Sequence, residues 1–370
     1  MKIGFLLDDS LDRTDGVQQY VLTLGDYFSA RGHDVHYLVG NTKRKDIKNI
    51  HSLSKNIKVK FNRNTLSIPL HSDSKQIRHL LNHTDFDVIH VQAPFSPLLS
   101  SKVINMLPKK TKVIATFHIL PYSSKEKYAT ILLSKLVSRA NSRINGFISV
   151  SKPAQEFAKC YYGVDSKVIP NPVKRPKEAH STESKSKKSK INLVFLGRLV
   201  ERKGPLELVK AFGIVARTND DIELNIYGDG PLRTRIADYI VNNNLSNRVN
   251  MHGYINESVK SSVLRKADIA VFPSKGGESF GIVLTEAISA GSTVVIGGDN
   301  PGYRSVLEYE ETIFDPNDLV EFSTAIERFA MDKNLRESVG KKQKNLVNKY
   351  YDDVVGKQVE EFYKSVQATK

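Results

Sequence analysis

The chain has 370 residues, room for two domains, and its 40% apolar and 26% charged content suits a folded globular protein rather than a fibrous or disordered one. One cysteine, Cys160, excludes an internal disulfide and suits a reducing compartment, and no apolar run approaches the roughly 20 residues of a membrane-crossing helix. The formal charge of +15 is uneven: residues 1–172 carry +12, residues 173–190 carry +5 and residues 191–370 carry −2, so the N-terminal half and the linker would either face an anionic partner (nucleic acid, an anionic lipid surface or a phosphorylated substrate) or simply form a soluble basic surface. The opening MKIGFLLDDS is too short and too quickly acidic for a signal peptide.

Residues 2–7 predict a short buried strand, 17–31 a helix and 35–39 a second strand, a β-α-β unit with a right-handed crossover. Gly16 closes the first loop, where backbone can approach a ligand at a helix start. The absence of G-x-G-x-x-G disfavours a dinucleotide oxidoreductase. Residues 41–75 are basic and irregular, with 57–61 the candidate strand. A helix over 74–83 carries Lys75, Arg78 and His79 beside Ile77, Leu80 and Leu81. Such a helix either packs on its domain or lies on a membrane surface. Asp85-Phe86-Asp87 has the D-x-D form of some metal sites, but directly before a buried strand, 87–91, it reads as a turn and strand entry. A loop and helix occupy 94–107. The strand 113–117 ends at His118, and a histidine at the C-terminal end of a parallel strand faces the ligand crevice. A strand at 146–150 leads to a helix opening at Ser151-Lys152-Pro153, and 168–169 precedes Pro170-Asn171-Pro172-Val173.

Residues 173–190 are polar, basic and without an apolar period, which reads as a linker. The strand 191–196 then runs into Gly197-Arg198 and on to Lys203-Gly204. Arg198 and Lys203 are either two surface cations in a strand–helix loop or a pair of fixed charges able to hold an anion. Strands follow at 222–227, 249–253 and 268–272, with a Gly228-Asp229-Gly230-Pro231 turn after the first and a helix near 258–267 between the last two. The stretch 276–291, GGESFGIVLTEAISAG, begins as a glycine loop and becomes a helix, with Ser279 as N-cap and Gly291 at the end. Amides at Phe280, Gly281 and Ile282 then form an anion site suited to diphosphate. Glu278 sits just before that site, and Glu286 lies about two turns further along, where a carboxylate can accept from both hydroxyls of a ribose. A strand at 293–296 and helices at 318–330, 335–349 and 354–365 complete the chain. No repeat and no His/Cys metal cluster is evident.

Glu278 and Glu286, with Ser-Phe-Gly between them, a strand before and A-x-x-A-G after, match the E-x7-E segment of retaining glycosyltransferases of family 4. The string resembles that of phosphatidylinositol mannosyltransferases most. Thr116-Phe117-His118 and G-R-x-x-x-x-K-G resemble the family's motifs as they stand, whereas Asp15-Gly16 replaces a common Gly-Gly and Pro172 a usual glycine. The resemblance covers nearly the whole length. It implies the α/β GT-B fold, two doubly wound Rossmann-like domains facing a cleft. Residues 1–172 would bind acceptor, with a final helix over 352–370 packed back on them, and 191–351 would bind donor.

By the same resemblance, Arg198 and Lys203 hold the leaving diphosphate, with backbone at Gly16 and at Ser279–Ile282 assisting, and Gly228 and Gly230 lie beside the nucleotide. Glu286 binds ribose, Glu278 contacts the sugar, His118 orients the sugar and Gln18 meets the acceptor. The implied reaction moves mannose from GDP-mannose to a phosphatidylinositol-type headgroup, with no metal or other cofactor. The alternative is hexosyl or N-acetylhexosaminyl transfer from a UDP-sugar to a soluble or lipid-linked glycan. The enzyme would be cytoplasmic, held peripherally on the inner face of the cell membrane by its basic N-terminal domain. A nucleic-acid partner is disfavoured, because the charge lies in loops and linker without a recognised module.

Overall fold

A computed structural model describes residues 1–12, 15–61, 64–92, 98–118, 120, 138–176 and 190–368. The chain divides into two units, Met1–Pro172 with Asp352–Lys370, and Val173–Tyr351.

In the first unit, strands β1 (Lys2–Leu6), β2 (Asp34–Val39) and β3 (Ile50–Ser52) precede a hairpin of β4 (Ser54–Phe61) and β5 (Asn64–Ser72). Then come β6 (Val88–Gln92), β7 (Lys112–Phe117), β8 (Gly146–Ser149) and β9 (Lys167–Val168). The main sheet has the order β3-β2-β1-β6-β7-β8-β9, and its pairs are all parallel. Its central strands are near-continuous apolar runs because both faces are covered. On one face, Ile3 and Phe5 share a core with Tyr20, Val21, Leu24 and Phe28 of the helix Gly16–Ala30. Val355, Val359 and Tyr363 of the C-terminal helix Asp352–Ala368 complete that core, and the rings of Tyr363 and Phe28 stack at 5.3 Å. On the other face, Leu6 and Ile89 pack with Val103 and Ile104 of the helix Leu99–Met106.

Two expectations change here. The stretch 41–75 is more ordered than expected: the candidate strand 57–61 lies within β4, and β5 completes an antiparallel hairpin, with Ser54 paired to Ser72 and Phe61 to Asn64. The helix Ser74–His83 commits its apolar stripe to the core: Ile77 and Leu81 are buried, and Lys75, Arg78, His79 and His83 point outward. That helix presents cations without an apolar edge, so the membrane-surface reading loses its apolar half. Among the described residues no helix is long and apolar enough to cross a membrane.

The second unit carries β10 (Ile191–Leu196), β11 (Ile222–Tyr227), β12 (Val249–Gly253), β13 (Ile269–Phe272), β14 (Val294–Gly298) and β15 (Ile313–Phe314). All pair in parallel in the order β12-β11-β10-β13-β14-β15. This is the doubly wound order in which the chain reverses direction across the sheet between its first and fourth strands. A crevice for ligands forms at that reversal, at the C-terminal ends of β10 and β13. Residues 173–176, expected to begin a linker, belong to this unit: Val173 bridges to Tyr351, and the Arg175 guanidinium lies 4.1 Å from the Tyr351 ring centroid. Residues 177–189 of that expected linker lie outside the described residues.

Candidate active site

In the second unit, the loop after β10 runs through Arg198 and a single turn, Glu201–Lys203, to Gly204 and the helix Pro205–Val215. The loop after β13 runs from Pro273 to Gly281 and the helix Ile282–Ala290. Backbone and side chain tie the two together. The Arg202 carbonyl accepts from the Lys275 amide at 2.8 Å and from the Ser274 hydroxyl at 3.1 Å.

Glu278 is the meeting point. Its Oε1 accepts from Lys203 Nζ at 2.8 Å, from Ser274 Oγ at 2.8 Å and from Arg202. Burial alone would raise the Glu278 pKa, but Lys203 and Arg202, with the hydrogen bonds, outweigh it and hold the carboxyl at about 2. Burial lowers the Lys203 pKa; Glu278 offsets part of this, and Arg202 and Arg198 push the same way as burial. Arg198 therefore shares the electrostatic field of this cluster. Tyr303 is buried nearby, its hydroxyl raised well above the usual tyrosine value by burial and next by the Glu278 charge.

The expected helix start is corrected. The N-cap position of the helix Ile282–Ala290 is not Ser279. Gly281 holds the cap position at φ 111°, a left-handed conformation that keeps the chain from turning helical until Ile282. The Leu284 amide is taken by the Gly281 carbonyl at 3.0 Å. Phe280 is buried, its ring edge-on to Tyr350 at 5.3 Å. Of the proposed anion contacts, Ser279 and Phe280 thus precede the helix, and Gly281 and Ile282 are its first positions. Glu286 sits within that helix, ion-paired to Lys260 of the helix Glu257–Arg265; both side chains are largely buried, and Lys260 also lies 3.3 Å from Glu257.

Gly228 and Gly230 have an architectural task of their own. A Cβ on Gly228, at φ 134°, would stand 1.9 Å from the Gly197 carbonyl oxygen, and one on Gly230 would stand 2.6 Å from that of Leu199. Only glycine lets the loop after β11 lie backbone to backbone against the loop that carries Arg198.

In the first unit, Gly16 is the first residue of its helix and is exposed, with Asp15 at the cap position. Gln18 is buried rather than open: its amide donates to Asp9 Oδ2 and to the Ser10 carbonyl, each at 3.3 Å. It braces the loop after β1. Residues 93–97, which follow β6 in the sequence, lie outside the described residues. His118, just past β7, has its Nε2 2.6 Å from Gln92 Oε1, and its ring meets Tyr20 edge-on at 4.7 Å. Burial takes its pKa down to about 3. Behind it, His90 bridges Thr116 and Tyr363, each at 2.6 Å. The D-x-D carboxylates diverge: Asp87 accepts from the Lys2 amide at 2.7 Å and Asp85 pairs with Lys110 at 2.7 Å.

Arg202, Ser274, Lys260 and Gln92 escaped the reading of motifs. Arg202 adjoins Lys203, and Ser274 is the second residue of the loop at the sheet reversal, so both carried a positional signal. Lys260 reaches Glu286 across 26 residues, which no local pattern reveals.

Residues 176–346 match the family model described as Glycosyl transferases group 1, and residues 14–175 match that of Glycosyltransferase Family 4. A phosphatidyl-myo-inositol mannosyltransferase of Mycobacterium tuberculosis is 30% identical over 381 residues, covering 99% of this chain and 97% of its own length. The GPI3 subunit of a Saccharomyces cerevisiae phosphatidylinositol N-acetylglucosaminyltransferase is 25% identical over 386 residues, covering 99% and 83%. The solved structure of Anabaena Alr3699/HepE in complex with UDP and glucose superposes with a TM-score of 0.76 at 15% identity, over 99% of this chain and all of that one.

Proposed function

Because the chain belongs to glycosyltransferase family 4 and is a glycosyltransferase of GT-B fold, we propose that it transfers mannose from GDP-mannose, with retention, to a phosphatidylinositol-type lipid headgroup. The observation that carries the donor half is the Arg202–Lys203–Ser274–Glu278 cluster at the reversal point of the second sheet. Lys203 and Arg198 stabilise the charge that develops on the departing diphosphate, in a site where burial strengthens each interaction. That role needs no divalent ion, so chelation by EDTA leaves the rate unchanged. Glu286, held by Lys260, accepts from the ribose hydroxyls. Glu278 accepts from hydroxyls of the sugar. His118 orients the sugar.

The names of the mycobacterial relatives support the mannosyl donor and the lipid acceptor, and the basic N-terminal half supports attachment at an anionic inner membrane face. Thermal melts with GDP, UDP and ADP, without metal, on wild type and Glu286→Ala test the donor. Selective stabilisation by GDP that the variant loses is expected. Selective stabilisation by UDP would move the donor to a UDP-sugar, the reading that the yeast relative's name favours, and no response to any nucleotide would overturn the site. Co-sedimentation with phosphatidylinositol vesicles at low and high salt tests the acceptor side; failure to bind at low salt would sink the lipid reading.

A further inference from the structure

We propose that Gln92 is a positioning residue that fixes the tautomer of His118, placing the proton on Nε2 and the lone pair on Nδ1. The consequence for function rests on the reading that His118 orients the sugar: it then meets a hydroxyl as a hydrogen-bond acceptor.

Gln92 is the last residue of β6, pairs in register with Thr116 of β7 and is 2% exposed. Its amide nitrogen lies 3.4 Å from the His90 carbonyl oxygen, and its Oε1 lies 2.6 Å from His118 Nε2. Turning the amide over would set two acceptors, Oε1 and the His90 carbonyl, against each other, so the orientation is chosen by chemistry. An amide oxygen only accepts. The short contact therefore requires a proton on His118 Nε2, and a neutral imidazole has only one to give.

The surroundings keep the ring neutral. Tyr20, from the helix Gly16–Ala30, is a phenol whose pKa burial raises, and His90, on β6, is held by burial at about 3, as is His118 itself. The partner of Nε2 is an uncharged amide. Histidines that serve as bases are commonly backed by a carboxylate, which orients the ring and also stabilises its protonated form. An amide supplies the orientation without the added basicity. His118 thus stays neutral throughout the working range and acts by direction rather than by taking a proton.

The test uses the full chain labelled with 15N-histidine. Two-bond 15N–1H spectra report the tautomer of each of its ten histidines, and His118→Asn identifies the signal in question. Wild type should show His118 protonated on Nε2. Gln92→Leu should mix or invert the tautomer and lower kcat by about tenfold, the lower end of what losing a histidine's orienting partner costs. Gln92→Glu retains an acceptor, so it should restore Nε2 protonation and the rate at high pH. It should also raise the His118 pKa and move the acid limb of the pH–rate profile upward. The glutamate variant keeps the test decisive where the leucine variant fails to fold. A wild-type His118 protonated on Nδ1, or a glutamate variant with the wild-type pH profile, overturns the assignment. A correct tautomer in an enzyme whose transfer is insensitive to His118→Asn supports Gln92's role and refutes the sugar contact instead.

Discussion

Replacing Glu278 by Gln preserves its shape and removes its charge. In the folded protein this carboxyl sits at about 2 against an ordinary 4.5. At about 1.4 kcal/mol per tenfold, that difference favours the ionised form by about 3 kcal/mol. The side chain is only 13% exposed, so solvent screening removes little of it. Glutamine imitates the protonated carboxyl and leaves Lys203 and Arg202 without their anion, so Glu278→Gln should lose about 3 kcal/mol at pH 7. For a unit the size of Val173–Tyr351 that lowers the Tm by about 6–12 °C. The assay is calorimetric melting of both proteins from pH 7 downward. A folded pKa below the unfolded one gives stability that is complete above about pH 4.5 and lost as pH falls toward 2, so the gap between the proteins should close over that interval. Added GDP should also narrow it, because a diphosphate supplies the anion that Lys203 lacks. A variant that melts within about 2 °C of wild type at pH 7, or a gap unchanged at pH 3, refutes the reasoning.

Gly228→Ala should destabilise the protein by at least about 1–3 kcal/mol in urea titrations, because its Cβ would meet the Gly197 carbonyl oxygen at 1.9 Å. Tyr363→Phe leaves His90 Nδ1 buried without the 2.6 Å hydroxyl partner and should lose about 1–3 kcal/mol in the same measurement; an unchanged midpoint would mean that the contact contributes nothing. Glu286→Ala should weaken GDP binding by about 1.5–3 kcal/mol in isothermal titration, with Lys260→Met weakening it less, and equal affinities in all three proteins would remove both residues from the ribose site.

The parallel sheets were legible because strands covered on both faces announce themselves as apolar runs at nearly their observed positions. The hairpin Ser54–Ser72 was legible only in its first strand, where 57–61 stood out: the pairing and the second strand depend on a partner for their register, and the many lysines hide the alternation. Ser279 looked like a cap because serine before an apolar run usually is one, and the positive φ of Gly281 that displaces the helix start does not show in composition. The apolar stripe of the helix Ser74–His83 was plain, but a stripe alone does not tell a core from a membrane. At the site, the cations and carboxylates stood out as motif residues, whereas their mutual arrangement depended on contacts between loops. The E-x7-E spacing places two glutamates and is silent on what each one touches, Arg202 and Lys203 for Glu278 and Lys260 for Glu286.

That arrangement carries a consequence for catalysis. Arg198, Arg202 and Lys203 belong to one short loop, and the first two depress the Lys203 pKa, so the cations repel one another. Glu278 offsets that repulsion by holding Lys203 and Arg202 on a single oxygen. We infer that an arriving diphosphate takes over a neutralisation that already exists, exchanging one anion for another. Phosphate binding and the release of Glu278 are then one event, and the carboxylate becomes available to hydroxyls when the sugar attached to that phosphate arrives. Relieved of its cations and placed beside a new anion, Glu278 must titrate higher. Carboxyl 13C spectra should therefore show its pKa rising when GDP binds, with no such rise on binding GMP, which lacks the second phosphate. If GDP leaves the Glu278 titration in place, Lys203 and Arg202 do not change partners, and the diphosphate is held by other groups.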